Sequence, residues 1–292
     1  MALMSFGENI FLGILQGLTE FLPISSSGHL FLAETFLGLE PNLNLEISLH
    51  AAGLLAVLIF FHKRLWRIVR GFGQIFGICS GDRQEGILGA KLIVATLLTV
   101  PIALGVQSQF DVLLSIPVVA LTLIFTGIFI LAAEKWRPQK LVAFSWPLVF
   151  LLGIVQGFAV VPGISRSGLT ISLLILLGIE RTKSTEISFL LAIPTILGAL
   201  VFSLGEVSAF PEINTAFFVG CFASFLASLA AIQWMMKLIQ KHWIWFAPYC
   251  ILAGGGLLIW ISSIHGVLNS NSVEIVVKAK YLEFQNNLHS IL

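Results

Sequence analysis

The sequence predicts an all-α polytopic membrane protein: an inverted-topology repeat with about six full transmembrane helices and two re-entrant helical hairpins. Three observations carry that expectation. Composition is the first: 57% of the 292 residues are hydrophobic and only 11% charged, with a mean hydropathy of +0.98, whereas soluble domains carry about 25% charged residues. A soluble enzyme, a disordered chain and a nucleic-acid binder are thereby excluded. With 16 basic against 15 acidic residues, no basic stripe stands out that could track a phosphate backbone. The second observation is a set of six apolar stretches of spanning length. The third is an ungapped internal repeat at an offset of 140 residues.

Each element follows in chain order. Region 8–40 is long and apolar but broken by Gly, Pro and Ser. Residues 8–22 as a helix reach about 22 Å, short of the ~30 Å hydrocarbon core. Stretches 45–62, 90–106 and 112–133 are full spans; a second interrupted region, 145–180, comes next, and spans 187–205, 213–236 and 244–264 complete the set. The first residues lack a basic leader, so no cleavable signal peptide is expected. Cys79, Cys221 and Cys250 lie far apart without metal-ligand spacing and read as buried small hydrophobes. One membrane domain is expected over 1–264, with repeat one at about 5–133 and repeat two at about 141–264. A polar tail occupies 265–292.

Basic residues orient these elements. Lys63, Arg64, Arg67, Arg70, Arg83 and Lys91 cluster around the 62–91 connection. Lys135, Arg137 and Lys140 follow 112–133, Arg181 and Lys183 follow 145–180, and Lys237 and Lys241 follow 213–236. Thirteen of the 16 basic residues therefore sit in alternate loops. The intervening loops near 40–45, 107–111 and 206–212 hold acids such as Glu40, Asp111, Glu206 and Glu212 and no Lys or Arg. Basic loops face the cytoplasm, so region 8–40 begins and ends outside while 145–180 begins and ends inside. The two hairpins enter from opposite faces.

Residues 12–28, LGILQGLTEFLPISSSG, match residues 152–168, LGIVQGFAVVPGISRSG, at nine of seventeen positions. Inverted repeats of this kind bring broken helices together near the bilayer midplane. Non-helical backbone persists there only where protein buries it or a wet cavity meets it. The helix starts after Pro23 and Gly163 leave N–H groups aimed at whatever binds, which favours an anion. Gly13 and Gly17, with Gly153 and Gly157, form G-x-x-x-G faces, most simply read as packing motifs.

Candidate chemistry concentrates where the copies diverge: Glu20 faces Val160, Ser26 faces Arg166, and His29 faces Leu169. Gln16 and Glu20 share a helical face, and a carboxylate within an apolar stretch costs roughly 2.5–3.5 kcal/mol, which marks it as a site candidate. Thr19, Ser25, Ser26 and Ser27 supply hydroxyls. Arg166, alone among basic residues from Leu141 to Ile179, can clamp phosphate oxygens in bidentate fashion. Glu46 and His50 start a span and are candidates for the cavity mouth. Glu186 and Ser188 read as capping residues, while His62 and His242 read as solvated members of basic clusters. Acid, hydroxyl, imidazole and cation together make an anion site with a nucleophile, a proton donor and a metal-binding carboxylate.

The segments LQGLTEFLPISSSGHL (15–30) and VPGISRSGLT (161–170) closely resemble the two signature motifs of the bacterial undecaprenyl-diphosphate phosphatases, also called bacitracin-resistance proteins. LEISLHAAGLLAVL (45–58) and SFLLAIPTILGA (188–199) are similar to further segments of that family, and the likeness runs over roughly 5–264. The resemblance implies hydrolysis of undecaprenyl diphosphate to the monophosphate carrier of cell-wall synthesis, in the bacterial inner membrane, at a site open to the periplasm. It implies a divalent cation, Mg²⁺ or Ca²⁺, with the family's acidic motif falling on Gln16 and Glu20. The functional Ser, His and Arg fall on Ser26, His29 and Arg166. Substrate contacts are expected around Gln16, Ser25, Ser27, Gly28, Gly163, Ser165, Ser167 and Thr170. The chain departs from the family's common pattern with Gln at position 16, Ala51-Ala52 for Leu-Gly and Cys250 for Arg. The nucleophile stays open between Ser26, His29 and water. The partners expected are a polyprenyl diphosphate lipid and the membrane, with a homodimer left open and no nucleic acid. The alternative from another class is a transporter or flippase of a phosphorylated polyprenyl lipid, which would need the Arg and the backbone donors but not acid, hydroxyl and imidazole together.

Overall fold

The computed structural model describes residues 5–39, 42–204 and 214–267. Helices begin where the sequence offers a cap to the unpaired N–H groups of the first turn. Ser5 and Glu8 form a capping box for α1 (Phe6–Phe21), and Ser25 caps α2 (Ser26–Leu37). Asn42 caps α3 (Leu43–Phe60), which passes into α4 (His62–Ile75). Asp82 caps α5 (Arg83–Gln107), and the single turn α6 (Phe110–Leu113) leads to α7 (Ile116–Trp136). The second half contains α8 (Trp146–Phe158), α9 (Arg166–Leu176), capped by Ser165, and α10 (Arg181–Leu204). Asn214 caps α11 (Thr215–Leu238), and a 3-10 turn at Trp243–Trp245 opens α12 (Phe246–Val267).

The fold is all-α, with no strand among the described residues. Five segments are long and apolar enough to cross a membrane: Arg83–Gln107, Ile116–Trp136, Arg181–Phe202, Thr215–Leu238 and Trp243–Ser263. The count is six if Asn44–Phe60 and His62–Ile75, which meet at 78°, form one span. The stretch expected as span 45–62 therefore ends in a sharp turn at Phe61 and continues as a separate helix. The two interrupted regions are pairs of short helices, of 16 and 12 residues in the first and 13 and 11 in the second. Even the longest reaches only about 24 Å. Cys250 is buried and Cys221 only partly so, but Cys79 is exposed, contrary to its reading as a buried hydrophobe. It sits past α4 in a turn made by Gly77 at φ +70°, outside any helix that could enclose it. Glu40, Glu206, Glu212 and the tail beyond Val267 lie outside the described residues.

Small residues set the helix contacts, since only a missing Cβ lets backbones approach this closely. A Cβ on Gly13 would stand 2.2 Å from the Gly220 carbonyl oxygen, and one on Gly17 would stand 2.3 Å from that of Ser224. Both seat α1 on α11. Correspondingly, a Cβ on Gly153 would meet the Ala95 oxygen at 2.6 Å and one on Gly157 the Ile102 Cβ at 2.5 Å, seating α8 on α5. The first helix of each broken pair thus packs on a full helix of the opposite half. The core fills the centre with Phe21, Phe61 and Phe189, whose rings meet edge to face. Trp66, Trp136, Trp146 and Trp245 are exposed at the end that carries the basic loops, where indole rings settle at a membrane interface.

Candidate active site

Two breaks in helical backbone meet at the centre. Pro23 follows the end of α1, and Ser25 sits at φ +72°, a left-handed conformation costing a non-glycine residue about 1–3 kcal/mol. The Ser25 hydroxyl accepts from the Gly28 N–H (3.2 Å), and the Ser165 hydroxyl accepts from the Gly168 N–H (3.0 Å). Side chains from neighbouring helices hold the rest of the exposed backbone. Thr122 donates to the Pro162 carbonyl at 2.7 Å, while Thr126 accepts from the Ser165 N–H at 3.2 Å. Ser167 donates to the Leu22 carbonyl at 3.0 Å, and the Cys250 thiol lies 3.5 Å from the Pro23 carbonyl. A Cβ on Gly28 would fall 3.0 Å from the Gly163 Cα, so the two breaks are in direct contact. The first residues of α2 and α9, Ser26 and Arg166, are thereby brought to one place.

Glu20 is the hub. Its Oε1 accepts from Nη2 of Arg166 at 2.7 Å, across 146 residues of chain. Its Oε2 accepts from the Ser26 hydroxyl at 2.6 Å and from the Gln16 side-chain amide at 3.1 Å. His50 Nε2 lies 3.6 Å from the same oxygen. The side chains of Glu20 and Arg166 are only 8% and 16% exposed, so each charge depends on the other for its compensation. Two polar atoms here have no hydrogen-bond partner among the described residues: Arg166 Nη1 and Gln16 Oε1. A cavity of about 160 Å³ opens over the group, lined by Thr19, Glu20, Ser26, Ser27, His50 and, from the second break, Ala159, Val160, Ile164, Ser165 and Arg166.

The remaining residues singled out in the sequence divide into groups. Ser25, Gly28, Ser165 and Ser167 hold the two breaks in shape, and Ser165 also lines the cavity. Gly163 takes φ +86° where Thr122 leaves no room for a Cβ. Thr170 is fully buried and bonds the Arg166 carbonyl and the Ser188 hydroxyl, outside the lining. His29 is also outside it: Nδ1 faces the Ser25 carbonyl at 2.7 Å, and Nε2 faces the Tyr249 hydroxyl at 2.6 Å. Since a carbonyl can only accept, Nδ1 carries the proton and Nε2 accepts from Tyr249. Of the pair proposed for the mouth, His50 lines the cavity and Glu46 does not. Glu186 pairs with Arg64 at 3.1 Å. Thr122, Thr126 and Tyr249 were not marked by the sequence, although the two threonines stand four apart on one face of α7.

The orphaned Gln16 oxygen beside the Glu20 carboxylate tests the fit of a divalent cation. Both residues offer hard oxygens, the donor type that Mg²⁺ and Ca²⁺ take, and Mg²⁺ commonly relies on one or two carboxylates with substrate phosphates and water. No group of three His, Cys, Asp or Glu residues gathers among the described residues, so a cation here would draw part of its shell from the substrate.

Known proteins resemble this chain over most of its length. The family model for the bacitracin resistance protein BacA matches residues 9–256. The undecaprenyl-diphosphatase of Desulfosudis oleivorans is 37% identical over 267 residues, covering 87% of this chain and 97% of the relative. That of Desulfatibacillum aliphaticivorans is 36% identical over 269 residues, covering 86% and 97%. That of Corynebacterium glutamicum is 36% identical over 274 residues, covering 90% and 92%. A match over nearly the whole membrane region, breaks and spans together, leaves one conclusion: this chain belongs to the BacA bacitracin-resistance family.

Proposed function

We propose that this protein is an undecaprenyl-diphosphatase, a hydrolase that converts undecaprenyl diphosphate to undecaprenyl phosphate and inorganic phosphate. The observation that carries the reading is the convergence of Glu20, Ser26 and Arg166 on one small cavity at the junction of the breaks. Arg166 Nη1 is free to bind the terminal phosphate while Nη2 stays fixed by Glu20, which presents a preorganised cation to an anion. The Ser26 hydroxyl donates to Glu20, so its lone pairs face the cavity. Ser26 Oγ attacks the terminal phosphorus as the bridging P–O bond breaks, its proton passes to Glu20, and the lipid monophosphate leaves with the bonding pair. Glu20 gives that proton to the departing monophosphate and, a carboxylate again, takes one from the water that attacks the phosphoserine. The Oγ–P bond breaks, inorganic phosphate leaves, and the proton returns from Glu20 to Ser26 Oγ. His29, held between the Ser25 carbonyl and the Tyr249 hydroxyl outside the cavity lining, positions the break that carries Ser26. Gln16 and Glu20 would hold Mg²⁺ or Ca²⁺, whose charge offsets that of the phosphoryl group when bound.

The same reading assigns the protein to the bacterial inner membrane, with the cavity open to the periplasm and the two hairpins inverted. The basic loops support that orientation. Phosphate release by detergent-solubilised protein from undecaprenyl or farnesyl diphosphate, with and without EDTA, tests the reaction. Wild type is expected to release phosphate in a cation-dependent manner and Arg166→Ala to lose most of it. Near-normal release by Arg166→Ala would sink the assignment. Lipid movement in vesicles without phosphate release under any cation condition would point to a transporter instead.

A further inference from the structure

We propose that α4 is an interfacial helix, lying along the leaflet at the basic end of the molecule and docking the anionic headgroups of its lipids. Chain direction turns by 78° at Phe61, so if α3 runs across the bilayer, α4 runs close to its plane. Its 14 residues divide into three stripes at helical spacing. Leu65, Ile68 and Phe72 pack on the core, with Gly71 pressed against α5, where an added Cβ would stand 2.3 Å from the Gly86 nitrogen. Beside that stripe, Trp66 and Val69 are 63% and 59% exposed, and Phe76 and Ile78 continue the bare apolar surface past the helix end. Along the far edge Lys63, Arg67 and Arg70 recur at i, i+4 and i+7.

Charge decides what covers this face. From His62 to Gly81 there are four basic residues and no acid. Arg64 is spent inward on Glu85 and Glu186, and Arg70 on the Ser80 carbonyl and hydroxyl. Lys63 and Arg67 have no side-chain hydrogen bond or ion pair among the described residues. A helix carrying this stripe through the hydrocarbon would pay about 2.5–3.5 kcal/mol per charge, so α4 does not cross. A bare indole and valine beside unpaired cations instead match an amphipathic helix in the headgroup region, with the apolar stripe toward the acyl chains. Anionic headgroups complement the cations, and zwitterionic ones do so far less.

The test uses the full chain in micelles, with the binding of the first phosphatidylglycerol and the first phosphatidylcholine read by native mass spectrometry. Wild type is expected to prefer phosphatidylglycerol, and Lys63→Gln/Arg67→Gln to weaken its affinity about fivefold or more without changing that for phosphatidylcholine. Lys63→Arg/Arg67→Lys, which retains the charges, should bind as wild type does. Lys135→Gln/Lys241→Gln, at the same end of the molecule but off α4, should change little. Unaltered phosphatidylglycerol affinity in the Lys63→Gln/Arg67→Gln variant would overturn the proposal, and so would an equal loss in the Lys135→Gln/Lys241→Gln variant. Thermal midpoints of all variants show whether a loss reflects misfolding.

Discussion

Glu20 and Arg166 behave as one unit, because each removes the cost of burying the other. Replacing Glu20 by Gln leaves a guanidinium 16% exposed without its counter-charge, and breaking such a pair from one side costs about 3–5 kcal/mol. The double variant Glu20→Gln/Arg166→Gln is expected to unfold closer to wild type than the sum of the single losses, a coupling that thermal unfolding in detergent reads directly. Activity separates differently. Arg166→Lys keeps the charge but not the fork that binds Glu20 through one nitrogen and offers the other, so phosphate release should fall roughly 100-fold or more. Equal turnover by the Lys variant would show that charge alone suffices. Both residues were legible in the sequence because the bilayer makes an unexplained charge conspicuous and the repeat aligns the positions where they differ. Tyr249 was not: its bond to His29 spans 220 residues, and a tyrosine in an apolar helix is indistinguishable in sequence from one facing lipid.

Close backbone contact joins several of the helix pairs, and this gives glycines sharply different tolerances. A Cβ on Gly13 falls 2.2 Å from a carbonyl oxygen of α11, whereas one on Gly105 or Gly198 meets nothing within 4 Å. Gly13→Ala should therefore lower stability by about 1–3 kcal/mol, the cost of overpacking. Gly198→Ala should raise it by up to about 1 kcal/mol through helix propensity. Thermal midpoints of the two variants check the contrast, and similar effects would mean that α1 and α11 can separate without loss. The G-x-x-x-G spacing showed that Gly13 and Gly17 pack, but not on what. Partner choice depends on how the halves exchange helices, which local pattern does not encode. The turn after α3 was hidden for a related reason: 45–62 reads as one apolar run, and the residues that turn it, Phe61 and His62, carry neither Gly nor Pro.

At the scale of the whole molecule, the arrangement of ends follows from counting crossings. Helix α7 ends at Trp136 and α10 begins at Arg181, and Arg181 pairs with Glu134, so the pair α8 and α9 between them starts and finishes at one end of the bundle. Helix α5 ends at Gln107 and α7 starts at Ile116 at the opposite end. Positive charge sorted by side is what the sequence offers for deciding which end faces the cytoplasm; the depth to which each hairpin inserts depends on contacts between distant breaks and was not readable. Sidedness can be tested with a reporter already in the chain. Cys79 is exposed in the turn after α4, so a membrane-impermeant maleimide should label it in inside-out vesicles and not in intact spheroplasts. With Cys79 replaced by Ser, Lys140→Cys should label like native Cys79, and Ser108→Cys, exposed between α5 and α6, should label only from outside. Labelling of Lys140→Cys and Ser108→Cys from the same face would break the parity on which the periplasmic opening of the cavity depends. The opposite result at all three positions would keep the architecture and invert the protein, leaving the cavity to receive its lipid from the cytoplasmic leaflet.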